Sequence, residues 1–310
     1  MTTRLIGDLG GTHCRLALSI DGGAPSQERT LQAADFSTLE SALQHYLAEV
    51  AAAPTQACLA VAGAVSRAPF RMTNLDWQCD GAALQQQLKI SRVAFINDFE
   101  AIALAIPALS DAQMLDLGGA PDPGKPSTVL GPGTGLGVAL LLPTDSGFVA
   151  VATEGGHVSL QADTPAEQEV FEYWRRRGLP LSRETLLSGN GLQRIYQAIA
   201  QSSGAPAADG REVSARAAAG EATAIDAIAM FMALLGSAAG DQALSCGARG
   251  GVYLAGGILP KLRKHLENSD FRQRFDNKPP MQHYLQEIGV RLITHDNPGL
   301  LGAARHAFVD

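Results

Sequence analysis

Residues 4–20 read RLIGDLGGTHCRLALSI, a strand, a tight glycine turn and a returning strand. Leu5 and Ile6 begin an apolar run. Gly10 and Gly11 let the backbone turn and approach a ligand closely, and Leu16, Leu18 and Ile20 alternate with smaller residues as strand positions do. Asp8 therefore falls inside a strand that is entering the turn. Carboxylates are depleted in strands, which leaves two roles open: ending the strand by bonding local N–H groups, or holding a hydrated cation beside a phosphate. In a lone hairpin the first reading is the simpler one.

A second copy changes that balance. Residues 127–143, STVLGPGTGLGVALLLP, repeat the apolar run, the Gly/Thr bend (Gly131, Gly133, Thr134, Gly135, Gly137) and the apolar return. Two such hairpins about one domain's length apart suggest a duplicated unit with a ligand between its halves. A third piece, residues 251–259 (GVYLAGGIL), runs a strand into Gly256-Gly257. The chain has no G-x-x-x-x-G-K-[ST]. The glycines at 131, 133, 135 and 137 do not satisfy G-x-G-x-x-G, because position 136 is Leu, so neither a P-loop nor a Rossmann fingerprint is supported.

At 310 residues, 46% apolar and 18% charged, the length and composition predict two globular domains with sizeable cores. A net charge of −7 with no Lys/Arg-rich block argues against general affinity for nucleic acid. An acidic enzyme can still bind a nucleotide through backbone N–H groups and a metal ion. Cys14, Cys58, Cys79 and Cys246 are scattered without C-x-x-C spacing, the pattern of reduced thiols in a cytoplasmic protein. The N-terminus enters a strand directly, with no signal-peptide pattern. The longest apolar run, residues 227–240, is bracketed by Asp226 and Asp241. It is too short for a bilayer and reads as a buried helix, so no membrane partner is expected.

Outward from the first hairpin, a Gly/Pro/Ser turn at 22–26 precedes a helix within 36–53 and a short strand at 58–65. Residues 82–88 read as helix and 93–96 as a buried strand ending at Asn97-Asp98. A helix then runs through 100–106 until Pro107 stops it. A change of domain is expected near there. Helices follow at 164–177 and 189–200, a linker-like stretch at 202–210, and further helix to Leu244. A strand at 252–255, mostly helix over 265–288, a strand at 290–294 and a closing helix at 302–308 complete the chain. Strands alternating with helices predict an α/β fold with partly parallel sheets.

DLGGT, GPGTGLG and LAGGI, in this order and spacing, look like the two phosphate motifs and the adenosine motif of the sugar kinase, heat-shock chaperone and actin superfamily. MTNLDW (72–77), FINDFEAIALAIP (95–107), EGGH (154–157), LLSGNGL (186–192) and HDNPGLLGAA (295–304) narrow the match. Together they resemble bacterial glucokinase of the type lacking a structural zinc, nearly end to end. The resemblance implies two ribonuclease H-like domains of the actin-like ATPase fold with a ligand cleft between them. The first would span 1–107, with a C-terminal helix of about 298–310 returning to it, and the second 108–297. It also implies ATP-dependent phosphorylation of glucose to glucose 6-phosphate with Mg2+, in a cytoplasmic protein that forms a homodimer.

Site residues follow the same two levels. On residue type alone, Asp98 between a strand and a helix reads as an N-cap. A carboxylate at the C-terminal end of a strand of an α/β sheet also lies where substrates bind. Phosphoryl transfer asks for a carboxylate near the acceptor hydroxyl, and the base need not be strong. The resemblance puts Asp98 in that role and Asn97 on the sugar. Glu154 and His157, three apart, form a poor metal site without further ligands. The resemblance places them, with Glu184, on sugar hydroxyls, where carboxylates and an imidazole can discriminate epimers. It further assigns Gly7, Asp8, Leu9, Gly10, Gly11, Thr12, Gly133 and Thr134 to the phosphates, Asp8 to magnesium through water, and Gly256 and Gly257 to adenosine. His13 stands where the glucokinase pattern usually has Asn. It is a tolerated variant if that residue only caps the turn, and a source of pH-dependent ATP affinity if it touches nucleotide or metal. Competing expectations are a kinase for fructose or mannose, an actin-like or chaperone-like ATPase, and a sugar-sensing repressor. A repressor would need a helix-turn-helix before the first turn, and six residues precede Gly7. The chaperone reading leaves Asn97-Asp98 and EGGH without a job.

Overall fold

The computed structural model describes residues 1–63, 65, 69–72 and 75–308, without the side chains of 202 and 203. Ala64 of the expected strand 58–65, Thr73 and Asn74 of the MTNLDW motif, and residues 309–310 of the C-terminal helix that the resemblance implies at about 298–310 lie outside the described residues. The fold is mixed α/β. It divides into two compact units, one made of Met1–Ser110, Phe148–Ala152 and His295–Asp310, the other of Asp111–Gly147 and Thr153–Thr294.

In chain order the first stretch comprises strands β1 (Thr3–Leu9), β2 (His13–Ile20) and β3 (Ser26–Gln32), helix α1 (Leu39–Glu49), then β4 (Gln56–Val61), the two-residue strands β5 (Phe70–Arg71) and β6 (Gln78–Cys79), α2 (Gly81–Leu88), β7 (Arg92–Asn97) and α3 (Asp98–Ala105). It is followed by β8 (Met114–Asp116), β9 (Ser127–Pro132), β10 (Leu136–Thr144), β11 (Gly147–Thr153), α4 (Pro165–Arg175), α5 (Arg183–Leu186), α6 (Gly189–Ser203), α7 (Gly210–Ala218) and α8 (Ala222–Cys246). The chain closes with β12 (Gly251–Leu254), α9 (Arg263–Glu267), α10 (Phe271–Asp276), α11 (Gln282–Glu287), β13 (Val290–Ile293) and α12 (Pro298–Arg305).

The first sheet has the order β3-β2-β1-β4-β7, antiparallel through the first hairpin and parallel from β1 to β4 to β7. Strand alternation assigns its two faces. Leu5 and Leu9 of β1, Cys14, Leu16 and Leu18 of β2, and Ala57, Leu59 and Val61 of β4 pack with α1 and α2. Ile6, Ala17, Cys58, Ala60 and Ile96 face the other way, against Ala101 of α3 and Leu300, Ala303 and Ala304 of α12. Asp8 and Arg15, aligned across the β1/β2 pair, share this second parity. They therefore lie on the α3/α12 side of the sheet.

The second sheet has the order β11-β10-β9-β12-β13-β8. Beside it α8, the one described helix long and apolar enough to cross a membrane, is mostly buried. Its Ile228, Phe231, Met232, Leu234 and Leu235 pack with Phe271 and Phe275 of α10 and Ile195 and Tyr196 of α6. That is the buried helix expected at 227–240.

Several boundaries differ from expectation. The closing helix is Pro298–Arg305, not 302–308. Pro298 occupies the first turn, where its missing N–H costs nothing, and beyond Arg305 the chain is held by Arg4. The Arg4 Nη1 donates to the carbonyls of Ala304 at 2.7 Å and His306 at 2.8 Å, and the guanidinium lies 4.8 Å from the Phe308 ring centroid. Residues 265–288 fall into three short helices interrupted at 268–270 and around Pro279-Pro280. The polar, exposed strand β3 carries no apolar alternation and was not expected.

Candidate active site

Asn97, not Asp98, caps α3. Its Oδ1 accepts from the amides of Phe99 at 2.9 Å and Glu100 at 3.2 Å, while Glu100 Oε2 accepts the Asn97 amide at 3.4 Å, a reciprocal capping box. Asn97 Nδ2 donates to the Gly63 carbonyl at 2.9 Å, and the Asn97 side chain also hydrogen-bonds the Asp98 carboxyl. Capping by its neighbour relieves Asp98 of that task. Asp98 becomes the first residue of the helix, and its Oδ1 accepts a second bond from the already capped Phe99 amide at 3.0 Å. Burial first, and the negative charge of Asp8 second, raise the Asp98 carboxyl to about 6.

Asp8 does not end its strand, and its side chain is mostly but not fully shielded from solvent. It lies within β1, its Oδ2 3.2 Å from Arg15 Nη1 and its side chain 25% exposed. Burial raises its pKa and Arg15 opposes that rise. The first turn of α12 comes so close that a Cβ on Gly299 would sit 3.3 Å from Asp8 Cγ. Gly7 and Leu9 are core positions: a Cβ on Gly7 would be 2.8 Å from Leu59 Cδ2, and Leu9 is buried.

Each glycine bend closes on a backbone bond, which spans three residues in the first and two in the second. The Gly10 amide donates to the His13 carbonyl at 3.0 Å, and the Gly133 amide to the Gly135 carbonyl at 2.8 Å. In each, one glycine N–H closes the turn, while Thr12 and Thr134 near the tips are exposed. His13 completes the first turn through its backbone carbonyl. Gly256, at φ +88°, brings the loop after β12 against β9, where a Cβ would meet the Pro132 carbonyl at 2.4 Å. Gly257 faces open space.

Glu154 precedes and His157 ends a single 3-10 turn, with Oε2 and Nε2 3.8 Å apart and side chains 70% and 60% exposed. Glu184, in α5, accepts the Leu136 amide at 2.9 Å through Oε2. The sequence brings Asn97, Asp98 and Asp8 into one unit, and Gly133, Thr134, Glu154, His157, Glu184, Gly256 and Gly257 into the other.

Arg15, Gly299 and Glu100 escaped sequence reasoning. Asn97-x-x-Glu100 is a capping-box pattern that could have revealed the last, and Arg15 is the position opposite Asp8 once the hairpin register is drawn. Among the described residues no group of three or more His, Cys, Asp or Glu side chains could hold a metal. Asp8 nevertheless suits magnesium, which keeps several waters and takes one or two carboxylates plus substrate phosphates.

A family model described as Glucokinase matches residues 5–308. The chain belongs to the glucokinase family. Its relatives include a glucokinase of Chromobacterium violaceum, 42% identical over 98% of this chain and 88% of the relative. One of Erwinia tasmaniensis is 40% identical over 97% and 96%. Among solved structures, glucokinase from an Antarctic psychrotroph superposes with a TM-score of 0.90 at 36% identity, covering 98% of each chain.

Proposed function

We propose that this chain is an ATP-dependent glucose kinase, and that Asp98 is its base. The observation that carries the reading is a carboxylate at the start of α3 that its neighbour relieves of capping and burial raises to about 6. The glucose 6-hydroxyl gives its proton to Asp98 as the O6–P bond forms and the bond from the γ-phosphorus to the β,γ-bridging oxygen breaks, yielding glucose 6-phosphate and ADP. Asn97 orients the sugar beside Asp98, and Glu154, His157 and Glu184 bind its hydroxyls. Gly10, Gly11 and Thr12 with Gly133 and Thr134 shape the phosphate loops, and Gly256-Gly257 lets adenosine approach the backbone. Asp8 would hold hydrated magnesium, which supplies neutralising charge to the phosphates. A coupled assay across glucose, mannose, fructose and galactose tests the reading: the highest kcat/KM should be for glucose, and fast ATPase activity indifferent to sugar would overturn it.

The fold reading that goes with this is a pair of ribonuclease H-like domains of the actin-like type, with α12 returning to the first. The four thiols sit in separate places, on β2, β4 and β6 and at the end of α8, which favours the type without structural zinc and a cytoplasmic setting. The homodimer rests on the family resemblance alone.

Two predictions arise here. A base with a pKa of about 6 must be ionised to act, so kcat/KM should be level above pH 7 and fall about tenfold per unit below about pH 6. In Asp8→Asn the like charge is gone, and the acidic limb of whatever activity remains should move to lower pH. An unchanged limb would mean that another group titrates. Second, Glu154→Gln and His157→Ala should each raise KM for glucose about tenfold to a hundredfold while leaving KM for ATP within about twofold. Charge-assisted hydrogen bonds contribute about 1.5–3 kcal/mol. An unchanged glucose KM would place both residues outside the sugar site.

A further inference from the structure

The peptide of Leu136 is gripped from both sides. Its N–H donates to Glu184 Oε2 at 2.9 Å, and its carbonyl lies so close to Gly156 that a Cβ there would be 2.2 Å away. Gly135, just before it, is closed off by the same carboxylate, since a Cβ would sit 2.4 Å from Glu184 Oε2. The two gripping pieces are tied together. The Arg183 amide donates to the Val158 carbonyl at 2.8 Å, and the Leu160 amide to Leu181 at 3.4 Å. The other end of the bend is pinned by the Gly189 amide, which donates to the Gly133 carbonyl at 2.9 Å.

We infer that Glu184 is a positioning residue for the Gly133–Gly135 bend and the device by which sugar binding raises nucleotide affinity. Oε2 fixes the Leu136 amide and with it the bend, while Oε1 serves the sugar. The inference rests on the proposed assignment of Glu184 to sugar and the bend to phosphate. A sugar hydroxyl donating to Oε1 orders a carboxylate that already supports the loop, so the second ligand meets a loop whose ordering cost has been met. The coupling is reciprocal: nucleotide must tighten sugar by the same factor.

The test is calorimetric titration of the whole protein with AMPPNP, with and without saturating glucose. In the unsubstituted protein glucose should tighten AMPPNP by about fivefold or more, the usual lower range of such coupling. Glu184→Ala should weaken AMPPNP even without sugar and bring the coupling factor close to one. Glu184→Gln keeps a carbonyl oxygen for the Leu136 amide, so its sugar-free AMPPNP affinity should stay within about twofold while glucose binding weakens. Gly135→Ala, at a position without positive φ, puts a methyl where Oε2 sits. It should reproduce the nucleotide defect with Glu184 intact, which decides the matter even if Glu184→Ala does not fold. His157→Ala should weaken glucose yet keep the coupling factor once glucose is saturating. If Glu184→Ala and Gly135→Ala both keep normal sugar-free AMPPNP affinity and full coupling, the inference is overturned; raised glucose KM in Glu184→Ala would still uphold the sugar assignment. Failure of the unsubstituted protein to bind glucose would remove the functional reading and this inference with it.

Discussion

Asp98→Ala should lower kcat by about 10²–10⁴-fold, the usual contribution of a positioned base, with KM for glucose and ATP changed far less. The fold should survive because α3 does not depend on this residue for its cap. Asn97 Oδ1 already accepts the amides of Phe99 and Glu100, so the Phe99 amide keeps a partner when Asp98 is truncated. Asp98→Asn separates chemistry from stability. The folded protein holds the Asp98 proton more tightly than the ordinary carboxyl at 3.8 does, at about 6. Its contribution to stability is therefore fully present below about 3.8 and lost as the pH rises through about 6. A neutral Asn does not suffer that loss. At pH 7.5 Asp98→Asn should melt a few degrees above the unsubstituted protein, a gap of roughly 1–3 kcal/mol at most, and the difference should shrink towards pH 4.5. Turnover near normal in a folded Asp98→Ala protein would sink the assignment. An unaltered melting temperature in Asp98→Asn would show that burial does not strain this carboxylate.

The sequence made the hairpins legible because each is local: apolar alternation on both arms and glycine at the bend need no distant partner to be recognised. The same holds for the strand into Asn97-Asp98 and for α8, whose apolar run has nowhere to go but a core. Asp8 was legible as anomalous but not as paired, because Arg15 faces it only once the strands are in register. Glu184 is a sharper case. The stretch leading to it, RGLPLSRE (177–184), is only loosely patterned, and its bond to Leu136 joins residues 48 apart in the chain. The closing helix begins at Pro298, ahead of the expected 302, and Gly299 and Gly302 lie inside it. Their reason for being there is contact with Asp8 and with α3, which no local propensity records.

Gly302 carries the other large effect expected. Considered as a helix residue alone, Gly302→Ala should stabilise the protein by about 0.5–1 kcal/mol, since alanine is the better helix former. The packing reverses that sign. A Cβ at this position would lie 1.6 Å from the Ala101 carbonyl oxygen and 3.1 Å from the Ala105 amide nitrogen, so α12 and α3 touch backbone to backbone. Neither atom belongs to a flexible side chain that could swing away. The helices must separate, and the layer of Ile6, Ile96, Leu300 and Ala303 beneath them must loosen with them. Overpacking of a close-packed core costs about 1–3 kcal/mol, and Gly302→Val, which adds two further methyl groups, should exceed about 3 kcal/mol. That is a large share of the roughly 5–15 kcal/mol by which domains are stable. The damage reaches the site as well. α3 begins with Asp98 and the first turn of α12 rests on Asp8 through Gly299, so helices pushed apart also move the two carboxylates relative to each other. Denaturant melts should therefore rank the proteins unsubstituted, then Gly302→Ala, then Gly302→Val, with kcat falling in the same order. Gly257→Ala, whose added methyl meets open space, should leave the melting curve within about 0.5 kcal/mol of the unsubstituted protein. A Gly302→Ala protein more stable than its parent would mean that helix propensity outweighs the contact and that α3 and α12 are free to adjust.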